Sequence, residues 1–118
     1  MNEQLREQVY AVVRLVPPGR VISYGDIAEL FGINPRLVGR LMSISEPADE
    51  LPWWRVTNSY GDPPKRLLDE VVPRWAEEGI TLKPNGIGCR IKEYRADLAA
   101  LADDAERLLG PMPGLRDD

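Results

Sequence analysis

Two adjacent tryptophans stand beside an arginine in the segment Pro52-Trp53-Trp54-Arg55-Val56 of this 118-residue chain. Adjacent side chains of a strand or turn point in opposite directions, so one indole can enter the core while the other needs a second surface. That surface would be a binding pocket or a partner, where an indole ring offers an apolar face. Packing of both rings in the core or at its edge is the alternative that these residues leave open.

Residue types that several common reactions require are missing. The sequence contains no histidine and a single cysteine, Cys89. Serine–histidine and cysteine–histidine mechanisms and histidine general bases are therefore excluded, as is a zinc site of the common Cys/His type. The lone cysteine cannot form a disulfide within the chain, which favours a reducing, cytoplasmic location and a buried structural role for Cys89. We expect neither a metal nor a cofactor.

Arg36 and Arg40 lie four residues apart in a segment, 36–43, whose apolar spacing predicts a helix. A shorter helix is predicted over 26–30, and Gly32 ends it. Two short helices joined by a glycine-containing turn, with arginines exposed on the second, describe a helix-turn-helix. A helical hairpin with solvated arginines is the alternative at this point.

The elements that must position these residues are mainly helical, with short strands and a small hairpin. Helices are predicted over 3–16, 26–30, 36–43, 65–78 and 97–109. Ser23 and Asp26 have the spacing of a capping box, and Asn34 suits an N-cap. Pro73 predicts a break or kink that leaves 73–78 as the stronger part of its helix.

Short extended segments are predicted at 20–24 and 56–58, and a small hairpin over 80–83 and 87–91. In the last helix the spacing places four side chains inward: Leu98, Leu101, Ala105 and Leu108. Order is predicted to end at Gly110. No apolar run approaches the length of a membrane span, and no signal-peptide pattern opens the chain.

The net charge of −4 is unevenly distributed. Residues 1–96 carry 13 basic and 13 acidic side chains, whereas 97–118 carry two basic and six acidic ones. The acidic excess therefore argues only against contact between the last 22 residues and a phosphate backbone.

Three segments resemble one family in their order and spacing: Arg20-Val21-Ile22-Ser23-Tyr24-Gly25-Asp26-Ile27-Ala28, Arg36-Leu37-Val38-Gly39 and Leu51-Pro52-Trp53-Trp54-Arg55-Val56. They resemble the DNA-binding domain of the O6-alkylguanine-DNA alkyltransferases. That family moves an alkyl group from a flipped-out guanine to the cysteine of a Pro-Cys-His-Arg-Val motif. Here Trp53 stands at the cysteine position, as in the alkyltransferase-like branch. Trp54 stands at the histidine position, which is a departure from the family pattern.

The resemblance implies a winged helix-turn-helix-like DNA-binding domain over 1–96, followed by a C-terminal helix and acidic tail over 97–118. By position, Tyr24 would press on the phosphate beside the flipped nucleotide, and Arg36 would enter the base stack. Gly39 would let the recognition helix approach the minor-groove backbone. Arg40, one turn further on, would contact a phosphate.

The resemblance also implies a pocket for the alkylated base. Trp53 would form its wall, and Arg66 would approach the flipped base as a cation. Trp54, in place of histidine, would remove a polar partner from behind the pocket. Glu78 matches the end of the catalytic relay of the true enzymes and, with nothing to relay, is predicted to pair with Arg55.

The function implied is non-enzymatic recognition of O6-alkylguanine in duplex DNA by minor-groove binding and base flipping, with signalling to nucleotide excision repair proteins. We expect a monomer that contacts no membrane. A methyltransferase would need an activated thiolate, and only Cys89 could supply one. A winged-helix transcriptional regulator that reads an unmodified sequence in the major groove is the alternative.

Overall fold

The computed structural model describes residues 3–115. In chain order its helices and strands are α1 (Glu3–Leu15), β1 (Ile22–Ser23), α2 (Tyr24–Phe31), α3 (Pro35–Ser43), β2 (Val56–Thr57), α4 (Leu68–Glu78), α5 (Ile91–Tyr94) and α6 (Leu98–Leu109). Single turns of 3-10 helix are formed by Pro47–Asp49, Trp53–Arg55, Lys65–Leu67 and Pro113–Leu115. The predicted class, mainly helical with short strands, is confirmed.

Local capping signals set the ends of the two central helices. The Ser23 hydroxyl accepts a hydrogen bond from the Asp26 N–H, and the Asp26 carboxylate accepts one from the Ser23 N–H, which completes the predicted capping box. Gly32 ends α2 in the left-handed conformation, with φ of 66°. The Asn34 side chain then accepts from the Arg36 N–H at 2.8 Å and starts α3. These caps produce the predicted helix-turn-helix.

The main core lies between α1 and the helix-turn-helix. One face of α1 is buried through Val9, Val12 and Val13, as its apolar spacing predicts. The buried Tyr10 hydroxyl donates to the Leu41 carbonyl at 2.6 Å, so α1 is also bonded to α3. The orientation of α3 is therefore fixed by packing and by a buried hydrogen bond.

A parallel pair of two-residue strands joins distant parts of the chain. Ile22 pairs with Val56, and Ser23 pairs with Thr57. The predicted hairpin over 80–91 is reduced to one antiparallel bridge between Leu82 and Cys89. The prediction fails because the Cys89 N–H donates to the Gly61 carbonyl.

Helix α4 continues through Pro73, so the predicted break is wrong. Proline lacks the N–H that would reach the Asp69 carbonyl one turn earlier. Both residues are exposed, so water can hydrate this carbonyl and the helix tolerates the loss. Ile91 also begins α5 rather than ending a strand.

The C-terminal segment packs on the main core. Leu101 and Ala105 of α6 are buried there, but Leu98 and Leu108 are 38% and 58% exposed, which contradicts their predicted inward positions. The chain also remains ordered past Gly110, because Met112 is buried in the same core. The predicted tail at 116–118 lies outside the described residues. Within 3–115 no helix is long and apolar enough to cross a membrane.

Candidate functional site

The two tryptophans lie in a tight turn and share one cleft. Pro52 precedes the 3-10 turn, which places the Trp53 and Trp54 rings nearly perpendicular, at 87°, with centroids 5.8 Å apart. Both rings are half-buried. The prediction of one core ring and one surface ring is wrong, because a 3-10 turn does not alternate its side chains as an extended segment does.

Behind the tryptophans, Arg55 and Glu78 form the predicted ion pair. The Arg55 Nη2 and Glu78 Oε2 atoms are 2.7 Å apart, and the two side chains are only 13% and 12% exposed. Arg55 also donates to the Val16 carbonyl, and the Gly19 N–H donates to Glu78. The pair therefore connects the turn with the chain after α1 and with the end of α4.

Trp54 joins this network through its indole N–H, which donates to Glu78 Oε2 at 2.8 Å. The expectation that tryptophan at this position removes a polar partner is therefore wrong. Burial raises the pKa of the Glu78 carboxyl, but hydrogen bonds from Arg55, Gly19 and Trp54 outweigh burial and hold this pKa below its ordinary value. Glu78 is thus a charged structural anchor.

In front of the tryptophans lies an open cleft of about 1270 Å³. It brings together five of the predicted site residues: Tyr24, Gly39, Trp53, Trp54 and Arg66. Helix α3 supplies one part of the lining and α4 another. The cleft can hold a flat ring system, such as a nucleobase, with its apolar face against an indole ring.

Tyr24 and Arg66 influence each other electrostatically across the cleft. Burial raises the pKa of the Tyr24 phenol, while the positive charge of Arg66 acts in the opposite direction. Tyr24 therefore stays a neutral hydroxyl at neutral pH and can donate a hydrogen bond to an anionic oxygen. Arg66 is exposed in the 3-10 turn that precedes α4.

Arg36 and Arg40 are exposed on α3. Neither lines the cleft, whereas Gly39 of the same helix does. The structure thus places the two arginines on a helix that adjoins the pocket and not in the pocket itself. This arrangement is compatible with contacts to the nucleic acid around an extruded base.

Arg74 is a cleft residue that sequence reasoning missed. Its guanidinium carbon lies 4.3 Å from the Trp54 ring centroid and 5.5 Å from that of Trp53. These contacts join segments about twenty residues apart, so no local spacing could have revealed them. The useful signal would have been the neighbour Trp75, whose burial turns the adjacent arginine away from the core.

Cys89 lies outside the cleft, in the second hydrophobic cluster of the fold, where it is fully buried. Burial raises the pKa of its thiol to about 11. It is therefore a protonated, inaccessible thiol at neutral pH. Among the described residues, no group of histidine, cysteine, aspartate or glutamate side chains could hold a metal ion.

Comparisons with known proteins point to one family. Residues 4–79 match the family model of the 6-O-methylguanine DNA methyltransferase DNA-binding domain. The chain is 34% identical to a DNA base-flipping protein of Vibrio parahaemolyticus, over 71% of this chain and 88% of that protein. It is 32% identical to alkyltransferase-like protein 1 of Schizosaccharomyces pombe, over 81% of this chain and 91% of that protein.

A solved structure is also similar. The crystal structure of S. pombe Atl1 in complex with damaged DNA containing O6-carboxymethylguanine superposes with a TM-score of 0.73 at 29% identity. The match covers 82% of this chain and 98% of Atl1. The similarity therefore extends over nearly the whole of a protein bound to damaged DNA.

Proposed function

Because this chain belongs to the alkyltransferase-like proteins of the 6-O-methylguanine DNA methyltransferase family, we propose that it recognises O6-alkylguanine in duplex DNA without repairing it. The observation that carries the proposal is the open cleft, which Trp53 lines. By the resemblance, this tryptophan stands where the alkyltransferases have the alkyl-accepting cysteine. The flipped base would lie against Trp53 with Arg66 beside it. Arg36 would fill the space that the base leaves.

Selectivity for damage has a physical source. Flipping a base costs a few kcal/mol of stacking and pairing, and the cost is smaller for a base that is already mispaired. The apolar faces of the cleft favour an added alkyl group. Arg66 supplies a cation that can respond to the electron distribution of the modified ring.

The protein would bind the lesion without repairing it, because the cleft contains neither a thiol nor a histidine to activate a nucleophile. The single thiol, Cys89, is buried outside the cleft, and the chain has no histidine to activate it. A complex without turnover would persist until the base returns to the helix. We infer that the protein works as a monomer and that the persistent complex flags the site for nucleotide excision repair proteins.

Gel-shift titrations test the binding step. Duplexes that differ only in one guanine, O6-methylguanine or a bulkier O6-alkylguanine are compared at one salt concentration. We expect both modified duplexes to bind more tightly than the unmodified one. Equal affinity for all three, or tight binding of one particular unmodified sequence, would instead favour a transcriptional regulator.

A transfer assay tests whether the protein accepts the alkyl group from the DNA. After incubation with duplex DNA that carries a radiolabelled O6-methyl group, we expect the label to stay on the DNA. The variant Trp53→Cys should behave in the same way, since Trp54 still stands where an activating histidine would be required. Label on the wild-type protein would refute the non-enzymatic proposal.

Excision repair signalling is tested separately. Purified excision nuclease components incise a duplex with one O6-alkylguanine in the presence or absence of this protein. We expect the protein to increase the rate of incision at the lesion. A rate that does not change with protein saturating the lesion would refute the signalling step while leaving recognition intact.

A further inference from the structure

Arg74 is held at the tryptophan pair in the free protein. It projects from α4, and its guanidinium lies within 6 Å of both indole centroids, at 4.3 and 5.5 Å. Because the two rings are perpendicular, this cation contacts a corner made of two aromatic surfaces. A guanidinium is attracted to the negative face of an indole ring. The position of the guanidinium in the cleft is therefore favoured before any ligand arrives.

The hydrogen-bond donors of Arg74 remain available. A guanidinium has five N–H groups, and contact with the face of a ring uses none of them. Among the described residues no carboxylate forms an ion pair with Arg74, whereas Arg55 nearby is bonded to Glu78. Arg74 thus places a charged, planar guanidinium in the cleft that has no anionic partner among the described residues.

We propose that Arg74 binds a carboxylate on the O6 substituent of the flipped guanine, so that the protein prefers anionic adducts to neutral adducts of the same size. The proposal rests on the proposed function, in which the base lies against Trp53. The guanidinium carbon of Arg74 lies 5.5 Å from the Trp53 ring centroid, so a short substituent of a base lying against that ring would come close to it. The planar fork matches the two oxygens of a carboxylate, which gives a bidentate contact.

Four glutamates line the cleft and make this contact decisive: Glu46, Glu50, Glu70 and Glu77. Glu70 and Glu77 lie four residues before and three residues after Arg74 on the same helix. Like charges repel, so a carboxylate adduct would be disfavoured here without the fork of Arg74. Loss of Arg74 should therefore reverse the preference and not merely weaken it.

The experiment compares three duplexes with the full chain. One carries O6-carboxymethylguanine, the second its neutral isostere O6-carbamoylmethylguanine, and the third O6-methylguanine. Affinities are measured by fluorescence titration for the wild type, Arg74→Gln and Arg74→Lys. The control Arg90→Gln removes one exposed positive charge at the N-cap of α5, outside the cleft.

For the wild type and Arg90→Gln we expect about tenfold tighter binding of the carboxymethyl duplex than of the carbamoylmethyl duplex. In Arg74→Gln this ratio should fall to one or below. Arg74→Lys, which keeps the charge but loses the fork, should lie between them.

Two results would overturn the proposal. The first is a wild-type ratio of carboxymethyl to carbamoylmethyl affinity near one, or a ratio that Arg74→Gln does not change. Either would show that Arg74 makes no contact with the carboxylate. An equal loss of affinity by Arg74→Gln for all three duplexes would assign Arg74 to a DNA phosphate instead. Failure of the wild type to separate O6-methylguanine from guanine would instead refute the proposed function, so the two failures are distinguishable.

Discussion

Gly39 is a residue whose small size the protein itself does not require. A β-carbon at this position of α3 would meet no heavy atom within 4 Å. Glycine inside a helix is less stable than alanine by about 0.5–1 kcal/mol. The position therefore carries a folding cost that packing does not explain, and close approach of DNA would explain it.

We predict that Gly39→Ala raises the free energy of unfolding by about 0.5–1 kcal/mol and weakens binding to a duplex with O6-methylguanine. The added methyl group relieves the backbone entropy cost but stands where α3 would meet the sugar-phosphate backbone. Denaturant unfolding and fluorescence titration measure the two effects on one preparation. Unchanged affinity together with higher stability would show that DNA does not approach this position.

Arg36 gives the complementary case. Its side chain is exposed, and its capping contact with Asn34 uses the backbone N–H, which alanine retains. Arg36→Ala should change the free energy of unfolding by no more than about 0.5 kcal/mol. Its affinity for the O6-methylguanine duplex should fall by about tenfold or more, because the extruded base would no longer be replaced in the stack.

The same titration on Arg90→Ala controls for the loss of one positive charge. A similar fall in both variants would mean that Arg36 acts only through long-range attraction. Wild-type affinity in Arg36→Ala would exclude it from the interface altogether.

At the scale of elements, the Arg55–Glu78 pair holds three pieces of the fold together. It bonds the tryptophan turn to the end of α4 and to the chain after α1 through Val16 and Gly19. Removing one partner of a largely buried ion pair leaves the other charge without compensation, which costs about 3–5 kcal/mol. The cleft therefore depends on this pair for its shape.

We predict that Glu78→Ala lowers the free energy of unfolding by about 3 kcal/mol at pH 7. The folded-state pKa of Glu78 lies below its ordinary value of 4.5, so its charged form stabilises the fold above that pH. This contribution is lost as the pH falls below 4.5 through the folded-state pKa. The wild type and the variant should therefore converge in acid.

Denaturant unfolding between pH 7 and pH 3 measures this difference. The exposed neighbour Glu77 provides the matched control, and Glu77→Ala should stay within about 0.5 kcal/mol of the wild type. A gap between the wild type and Glu78→Ala that is constant across the pH range would contradict the assigned pKa shift.

At the scale of elements, the sequence predicts features that depend on neighbouring residues and does not predict pairings between distant segments. The capping box at Ser23, the N-cap at Asn34 and the turn at Gly32 depend on residues within a few positions of one another, and all three predictions are confirmed. The parallel register of Ile22 with Val56 depends on packing between distant segments. No local pattern contains that information.

The wrong predictions and the omission of Arg74 share one cause: contacts between distant segments are not visible in local sequence patterns. Pro73 is a strong local signal against a helix, but the packing of Val71 and Trp75 keeps α4 continuous. The side chains of Trp53 and Trp54 would point in opposite directions only in an extended segment, but the segment is a 3-10 turn. Arg74 joins the site through contacts with that turn. Sequence thus indicated the pocket residues that match a motif and missed Arg74, which tertiary contact brings to the site.

At the scale of the whole molecule, the net acidic excess lies in a segment that does not line the cleft. None of residues 97–115 lines it, although that segment contains much of the acidic excess. The body that carries α3 is electrically balanced. The low overall isoelectric point therefore reflects residues outside the cleft and is not evidence against DNA binding there.

The C-terminal segment instead acts as a support for α2. Gly114 lies so close to that helix that a β-carbon would be 1.7 Å from the Glu29 carbonyl oxygen and 2.6 Å from the Gly32 nitrogen. Only glycine permits this approach. Since Tyr24 begins the same helix, the contact holds the element that bears one side of the cleft.

We predict that Gly114→Ala lowers the free energy of unfolding by about 2 kcal/mol, because the backbones must separate to admit the methyl group. The substitution Leu115→Ala changes an exposed side chain of the same turn and should cost less. Thermal unfolding of both variants measures the difference. Below its melting temperature Gly114→Ala should still distinguish O6-methylguanine from guanine, because the cleft residues are untouched. Wild-type stability in this variant would mean that the segment is not held against α2 in solution, and that α2 keeps its position without it.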